Sequence, residues 1–301
     1  MEIKYLQHNE ISKMKWDKCI NRSFNGIVYA YSWYLDIVAY QWDALVLGDY
    51  KAVMPLTGMK KYGFLKLVQP NYAKQLGVFT SERLDHELVN SFMEAIPDKF
   101  KVISIQLNTI NKITNYKFNL QQEVTHELDL ISPYKLLYLK FDIATKDAIK
   151  DSIVNKIHVM KHVNLKDFLL LKKNTSEVPV TFEHLNVLRR IIPFTMNHNI
   201  GETFGAYNDK NELIAAAFFV KSHNKVIYLL AASSEIGKEL KASYAIINHY
   251  IKENAEKNLT LDFEGSTVLK RDGFAKGFGA IPINYYHVKR NRLPFFLKFL
   301  N

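Results

Sequence analysis

Both halves of the chain repeat one order of predicted elements, and this order constrains the fold most. In the first half we predict a β-hairpin from WDALVLGDYKAVMPLTG, with its turn at Gly48-Asp49, and then a helix, ERLDHELVNSFMEAI, before the strand KVISIQL. In the second half we predict a hairpin from ETFGAYNDKNELIAAAFFV and then a helix, SYAIINHYIKENAEKN, before the strand LTLDFEG. Strands that alternate with helices in this way indicate a mixed α/β fold.

The length of the chain, 301 residues, is that of about two domains of ~150 residues each. Hydrophobic residues make up 48% and charged residues 23%, so both domains can bury an ordinary core. No Pro-, Gly- or Ser-rich linker separates the halves. We therefore predict two compactly joined domains, residues 1–134 and residues 135–301 with a basic connecting helix.

The positive charge of the chain is unevenly distributed along the sequence. Residues 1–134 contain 15 Lys and Arg against 14 Asp and Glu, whereas residues 135–301 contain 25 against 16, a net charge of +9. Such a field attracts phosphates: nucleic acid, the nucleotide part of coenzyme A, or anionic lipid headgroups. A solvated basic surface without a partner is the alternative.

The segments that direct a chain to a membrane or out of the cell are not visible. No apolar run reaches the roughly 18 residues that span a bilayer, and the first residues lack the apolar segment of a secretory signal. Cys19 is the single cysteine, so no internal disulfide can form. We expect a cytoplasmic protein without a transmembrane segment, in which Cys19 is a buried small hydrophobic residue.

The connecting segment TKDAIKDSIVNKIHVMKHVNL, residues 145–165, has a helical pattern. Thr145 is placed to cap it, and the other faces carry lysines. His158 and His162 have metal-ligand spacing but no third ligand, so we expect no metal site. The predicted apolar face consists of Ile149, Ile153, Ile157 and Met160.

Residues 259–280, LTLDFEGSTVLKRDGFAKGFGA, begin as an alternating strand. Leu259, Leu261 and Phe263 share one face, and Asp262 and Glu264 share the other. The pattern breaks at Gly265-Ser266 and the segment ends in glycine-aromatic-glycine. We predict that Gly265 and Ser266 form a tight turn, and that Gly277 and Gly279 are turn residues.

This segment resembles a known family. The motif Leu261–Ser266, L-D-F-x-G-S, followed by Phe274–Ala280, is similar to the end of the second domain in the double-domain branch of the GNAT acyltransferase superfamily, the Fem-type aminoacyltransferases and their uncharacterised Bacteroidetes relatives. The stretches 31–36, 42–46, 52–56 and 75–79 resemble the first domain. The resemblance implies two tandem GNAT-like domains packed side by side, the first degenerate, in a mixed-sheet α/β fold.

The same resemblance implies an activity: transfer of an acyl group from acyl-CoA or aminoacyl-tRNA to an amine acceptor held between the domains. The donor would lie against the second domain, and no tightly bound cofactor or metal is expected. GNAT enzymes cradle the donor pyrophosphate in a glycine-rich loop at a helix N-terminus. The corresponding residues 234–243 keep Gly237 but lack the second glycine.

Candidate site residues follow from these two motifs. Asp262 and Glu264 are candidates for a catalytic base or an amine anchor; alternatively they pair with Arg271 or Lys276 and hold the last loop. The candidates for contact with the donor phosphates are Gly237, Lys238, Lys241, Ser243 and Lys276.

Two other functions remain open. A protein that keeps the fold without catalysis would agree with the incomplete glycine loop. A nucleic-acid-binding protein would agree with the run Tyr285–Arg292, which interleaves aromatic and basic residues, and its affinity would fall steeply with salt. Read as a strand, the same run simply alternates a packed face with a solvated one.

Overall fold

A computed structural model describes residues 2–61, 63–114, 116–264 and 269–295, without the side chains of residues 269–272. The chain forms two compact units. Unit 1 consists of residues 1–124 and 284–301, and unit 2 consists of residues 125–283. The sequence prediction placed one boundary after residue 134. In the structure the chain passes into unit 2 after residue 124 and returns to unit 1 at residue 284.

The elements are numbered in chain order. The strands are β1 (Ile3–Leu6), β2 (Asp43–Leu47), β3 (Ala52–Leu56), β4 (Gly58–Lys61), β5 (Phe64–Val68), β6 (Phe79–Thr80), β7 (Phe100–Gln106), β8 (Asn119–Asp129), β9 (His158–Lys161), β10 (Gly201–Tyr207), β11 (Leu213–Ser222), β12 (Lys225–Ser233), β13 (Thr260–Asp262) and β14 (Ile281–Asn291). The α-helices are α1 (Lys13–Arg22), α2 (Ser32–Val38), α3 (His86–Glu94), α4 (Tyr134–Leu139), α5 (Ile143–Val154), α6 (Leu165–Thr175), α7 (Phe182–Asn197), α8 (Glu235–Glu239), α9 (Ala242–Asn254) and α10 (Leu269–Gly277).

Unit 1 contains an antiparallel sheet in the order β1-β2-β3-β6 and the neighbouring strands β4-β5-β7-β14, in which β5 is parallel to β7. The predicted hairpin of β2 and β3 is confirmed, as is the helix before β7. Asp85 caps α3 by accepting a hydrogen bond from the Leu88 amide at 3.0 Å. The apolar face of α3, with Val89, Phe92 and Met93, is fully buried in the unit 1 core.

Cys19 lies on α1 and is buried, as predicted. Burial raises the pKa of its thiol to about 11. At neutral pH this cysteine is therefore protonated and behaves as a small hydrophobic side chain.

Four polar side chains of unit 1 form a hydrogen-bonded series on β7, β14 and β8. The Ser104 hydroxyl lies 2.9 Å from Nε2 of His287, and Nδ1 of His287 lies 2.9 Å from Oε1 of Glu123. The Gln106 amide donates to Oε2 of Glu123 at 2.6 Å. The hydrogen bond from His287 lowers the pKa of Glu123 below its ordinary value, although burial acts in the opposite direction.

We expect the free energy of unfolding of Glu123→Gln to vary less with pH in the acid range than that of the unmodified protein. Because the folded pKa of Glu123 lies below its ordinary value of 4.5, its contribution is present above about pH 4.5 and is lost as pH falls through the lower folded value. The variant should lose roughly 1–3 kcal/mol of unfolding free energy at pH 7 and less at pH 3. Urea unfolding from pH 3 to 7 measures this. Exposed Glu82→Gln is the control, and equal losses by Glu123→Gln at both pH values would contradict the account.

Unit 2 is built on the strand order β8-β13-β12-β11-β10-β9, in which β12 and β13 are parallel and the other pairs are antiparallel. The predicted hairpin β10–β11 is confirmed, and β11 also pairs with β12. Helix α9 packs on this sheet, where Tyr250 stacks on Phe219 with ring centroids 3.9 Å apart. Ile246 and Ile247 of the same helix are buried in the unit 2 core.

The helix predicted over residues 145–165 is wrong in its second half. Helix α5 ends at Val154, Lys156 has a positive φ of 54°, and β9 follows as a strand that pairs with β10. The helix is capped by Asp142, which accepts from the Thr145 amide at 2.6 Å, rather than by Thr145. The predicted apolar face does not form, since Ile153 is 69% exposed. Hydrogen bonding of β9 to β10 outweighs the helical pattern.

The charge assigned to the second half also changes when it is counted by unit. Unit 1 contains 19 Lys and Arg against 12 Asp and Glu, a net charge of +7, and unit 2 contains 21 against 18, a net charge of +3. The difference arises because residues 284–301, which return to unit 1, carry four positive charges, and because Glu127 and Asp129 belong to unit 2. The larger positive charge therefore belongs to unit 1, not to the unit formed by most of the second half.

In the part of the chain that the structure describes, no helix has the length and apolarity needed to cross a membrane.

Candidate functional site

Two adjoining cavities of unit 2, with volumes of about 440 and 250 Å³, share Ala231 and Ser243 and together form a cleft beside β12. The larger cavity is lined by Lys172, Thr175, Ser176, Glu177, Val178, Ala231, Ala232, Ser233, Lys238 and Ser243. The smaller cavity is lined by Tyr228, Leu229, Ala231, Ser243, Phe263, Phe274 and Ala275. Their sizes are of the order of a small-ligand site.

The cleft lies where two parallel strands separate. The pairing of β12 with β13 ends at Ile227 and Asp262, whereas β12 continues to Ser233. A β-bulge at Leu229 bends β12 just beyond this point. No described strand pairs with residues 228–233 on the side facing away from β11. Backbone groups on this side of the segment therefore have no partner strand among those described, and the Ala231 carbonyl accepts from Nζ of Lys172 instead.

The N-terminus of α9 forms the opposite wall. Lys241 precedes the helix in the left-handed conformation, with φ of 59°, and its side chain does not cap the helix. Ser243, in the first turn, lines both cavities. The first backbone N–H groups of a helix lack partners within the helix and carry partial positive charge. This wall is suited to a negatively charged group.

The two ends of the cleft differ in chemistry. One end is aromatic: the ring of Phe263 lies 6.3 Å from that of Tyr228 and 6.4 Å from that of Phe274, centroid to centroid. The other end carries Lys172, whose Nζ donates to the Ala231 carbonyl at 3.3 Å, and Lys238. The cleft therefore has an apolar end and a cationic end.

Lys238 is accompanied by an acid. Its Nζ lies 2.6 Å from Oε1 of Glu235, and this hydrogen bond raises the pKa of Lys238. Both side chains are well exposed, so the pair is easily reorganised by a competing anion.

The predicted phosphate contacts fall in different places. Lys238 and Ser243 line the cleft, and Lys241 immediately precedes α9. Lys276 is exposed on the last turn of α10 and is not among the lining residues. The structure thus brings two of these residues together in the cleft, and a role in phosphate binding stays a prediction for all of them.

Gly237 has a packing reason to be glycine. A Cβ at this position would lie 2.3 Å from the Ile214 carbonyl oxygen and 2.7 Å from the Ser233 hydroxyl. Ser234 caps the short helix α8 by accepting from the Gly237 amide at 3.0 Å. Lys241, in the left-handed conformation, separates α8 from α9.

Asp262 is 1% exposed and belongs to a polar network below the cleft. It accepts from the Thr125 hydroxyl at 2.5 Å, and its Oδ2 lies 3.6 Å from Nζ of Lys225, which also contacts Glu127 at 2.5 Å. Burial alone would lower the pKa of Lys225, but Asp262 and Glu127 together raise it. These contacts support a structural role for Asp262 and give it Lys225 as an ion-pair partner. The predicted partner Arg271 has its side chain outside the described residues.

Glu264 follows with a positive φ of 54°, and its backbone amide donates to Oδ1 of Asp262 at 2.9 Å. The alternation of the strand is confirmed, since Leu259, Leu261 and Phe263 are buried together in the unit 2 core. The predicted turn residues Gly265 and Ser266 lie outside the described residues. The catalytic role of Asp262 and Glu264 stays a prediction.

Sequence reasoning missed the cleft residues on β12 and α6. Tyr228 and Ala231 lie in the cleft because β12 continues past the end of β13, and Lys172 lines it from α6. One signal was available: after the apolar run of β12, the small residues 231–234, AASS, leave space beside a strand.

No sequence-family model matches the chain, and no curated protein is similar to it in sequence. Its fold, in contrast, is similar to those of solved structures. FemX has a TM-score of 0.68 at 12% identity, covering 95% of this chain and 97% of FemX. A conserved protein of unknown function from Bacteroides thetaiotaomicron has a TM-score of 0.58 at 10% identity, covering 92% and 94%.

The L-PGS of Bacillus licheniformis has a TM-score of 0.52 at 9% identity, with 86% of each chain covered. At these identities the likeness is one of fold, and it extends over nearly the whole chain. The resemblance found in the sequence predicted this fold class. The chain therefore has the mixed α/β, GNAT-like fold of the Fem-related proteins.

Proposed function

We propose that this protein is an acyltransferase that moves an acyl or aminoacyl group from a phosphate-bearing donor, acyl-CoA or aminoacyl-tRNA, to an amine. The observation that carries the proposal is the separation of β12 from β13 beside the N-terminus of α9. The fold of FemX agrees with it. Fold alone does not establish function, so the argument rests on the cleft.

The two ends of the cleft suit the two parts of such a donor. Phosphates of the donor would contact the N-terminal N–H groups of α9 and the ammonium groups of Lys172 and Lys238. The acyl group would lie toward Tyr228, Phe263 and Phe274. The reactive carbonyl would then lie near Ala231 and Ser243, which the two cavities share.

The reaction requires few side chains. The neutral amine attacks the acyl carbonyl carbon, a C–N bond forms, and the C–S or C–O bond to the donor breaks; the amine proton is released and the leaving group is protonated. Accessible N–H groups of residues 228–233 would stabilise the negative charge that develops on the carbonyl oxygen. The remainder of the rate acceleration would come from positioning the two reactants next to each other.

The proposal is tested by titrating the protein with acetyl-CoA, longer acyl-CoAs, and charged or uncharged tRNA, with melting temperature and calorimetry as readouts. We expect one donor class to bind saturably, to remain bound in about 0.2 M salt, and to lose roughly tenfold in affinity in Lys238→Met. Lys252→Met is the matched control, because Lys252 is an exposed lysine at the far end of α9.

Each outcome bears on the proposal. Equal losses in Lys238→Met and Lys252→Met would indicate nonspecific attraction and contradict a donor site in the cleft. Binding of a donor without transfer to any amine would favour a protein that keeps the fold for binding alone. Binding of uncharged nucleic acid with a steep salt dependence would favour the nucleic-acid-binding alternative.

A further inference from the structure

A separate groove lies entirely within unit 1 and has a volume of about 740 Å³. It covers one face of β5, β7 and β14, whose other face belongs to the unit 1 core. Leu67 and Val288 point into that core. The groove is lined by Met59, Lys61, Lys66, Val68, Val102, Ile103, Ser104, Lys117, Asn119, Lys289, Arg290 and Asn291. Its volume is within the range of small-molecule sites.

Strand register brings the polar residues of this face together. Val68 on β5 and Lys289 on β14 are the partners of Ser104 on β7, and Lys66 is the partner of Val102 in the next row. Residues opposite each other on paired strands have side chains within about 5 Å of one another. On the face that lines the groove, Ser104 therefore lies opposite Lys289 and Val68, and Lys66 lies in the next row.

The charge of the groove has one sign. Among the lining residues that the structure describes, five are cationic and none is a carboxylate. Lys289 donates to the neutral amide of Gln121 at 2.9 Å, and Lys117 pairs with Glu94 at 2.8 Å outside the lining. Unit 1 as a whole has a net charge of +7. A concave surface with one sign of charge concentrates ligands of the opposite sign.

Lys66 increases the strength of this field. It is 4% exposed and lines the groove, so the residue is largely shielded from solvent. An anion that reaches it interacts through a medium of lower effective dielectric constant than water. Met59, Val68 and Val102 add apolar surface beside the charges.

Ser104 contributes an oriented hydroxyl, since His287 lies 2.9 Å from it and is itself held by Glu123. The order serine, histidine, carboxylate is also that of a Ser–His–acid catalytic triad. However, Ser104 lies inside β7 between two paired strands, and its backbone amide belongs to the sheet and cannot serve as an oxyanion hole. The series therefore favours ligand binding over nucleophilic attack.

We propose that this groove binds a small organic anion with at least two negative charges and an apolar part. Phosphate esters and polycarboxylates share this chemistry. The proposal does not rest on the donor cleft of unit 2.

Calorimetric titration with 1-naphthyl phosphate, inorganic pyrophosphate and citrate, at constant ionic strength and pH 7.5, tests it. We expect submillimolar binding of one or more probes and a loss of about tenfold in affinity in Lys289→Met and in Lys66→Met, because each removes a charged hydrogen-bond donor. Lys101→Met is the matched control, as Lys101 is an exposed lysine on β7 that does not line the groove.

The probes also distinguish the two ligand classes. Tighter binding of naphthyl phosphate identifies a phosphate ester, and tighter binding of citrate identifies a polycarboxylate. Absence of binding by all three probes to the folded protein would overturn the proposal, as would equal losses in Lys101→Met and Lys289→Met. Lys289→Met keeps the test valid if Lys66→Met fails to fold.

Discussion

Asp262→Ala is expected to lower the free energy of unfolding by about 3 kcal/mol, because it removes one member of a buried ion network. The carboxylate accepts from Thr125 and from the Glu264 amide and faces Lys225. The alanine variant leaves these donors without their acceptor and leaves Lys225, which is 21% exposed, with Glu127 as its carboxylate partner. Chemical denaturation at pH 7 measures the loss.

Two variants separate the causes of this loss. Asp262→Asn keeps an oxygen acceptor for Thr125 and loses the charge, so we expect a smaller decrease. Asp209→Ala, at an exposed turn position, should change stability by less than about 0.5 kcal/mol. A loss below 1 kcal/mol for Asp262→Ala would contradict the network, and a stable Asp262→Asn that lacks transferase activity would support a base or anchor role for Asp262.

Ala231→Trp is expected to abolish donor binding, with a loss of at least about 100-fold in affinity. Ala231 is half-buried and lines both cavities, so an indole at this position fills the point where the cavities meet. Its side chain is not part of the unit 2 core, so we expect the melting temperature to change little. Calorimetric titration with the donor class that binds the unmodified protein measures the effect.

The conservative variant Ala231→Ser is the control and should bind the donor within about twofold of the unmodified protein, since it adds only one atom to the lining. Undiminished donor binding by a folded Ala231→Trp protein would show that the donor lies elsewhere. Loss of folding in both variants would instead indicate that Ala231 is a packing residue, contrary to the account.

Much of the fold could be predicted because its signals are local. The turns at Gly48-Asp49 and at residues 208–211, the apolar stripe of α9 and the alternation of β13 all follow from periodicity over short segments. One error occurs at Lys156, which adopts the left-handed conformation and ends a predicted helix. Lysine gives no sequence signal for that conformation, unlike glycine or asparagine.

The sites were harder to predict because they depend on pairing between distant segments. The unit 2 cleft exists because β13 ends while β12 continues, which no local pattern in either strand indicates. The unit 1 groove combines Lys66, Ser104 and Lys289, and only the return of β14 to unit 1 joins them. The same return moves the four positive charges of residues 284–301 to unit 1, which a charge count along the sequence assigns to the second half.

The central claim is that an acyl donor binds beside the open edge of β12, and hydrogen exchange of the donor-saturated protein tests it most directly. We predict slower exchange in peptides covering residues 228–233 and 242–244, and unchanged exchange in β5, β7 and α3 of unit 1. The claim would be contradicted if a saturating concentration of donor slowed exchange only outside residues 228–244, or did not slow it anywhere.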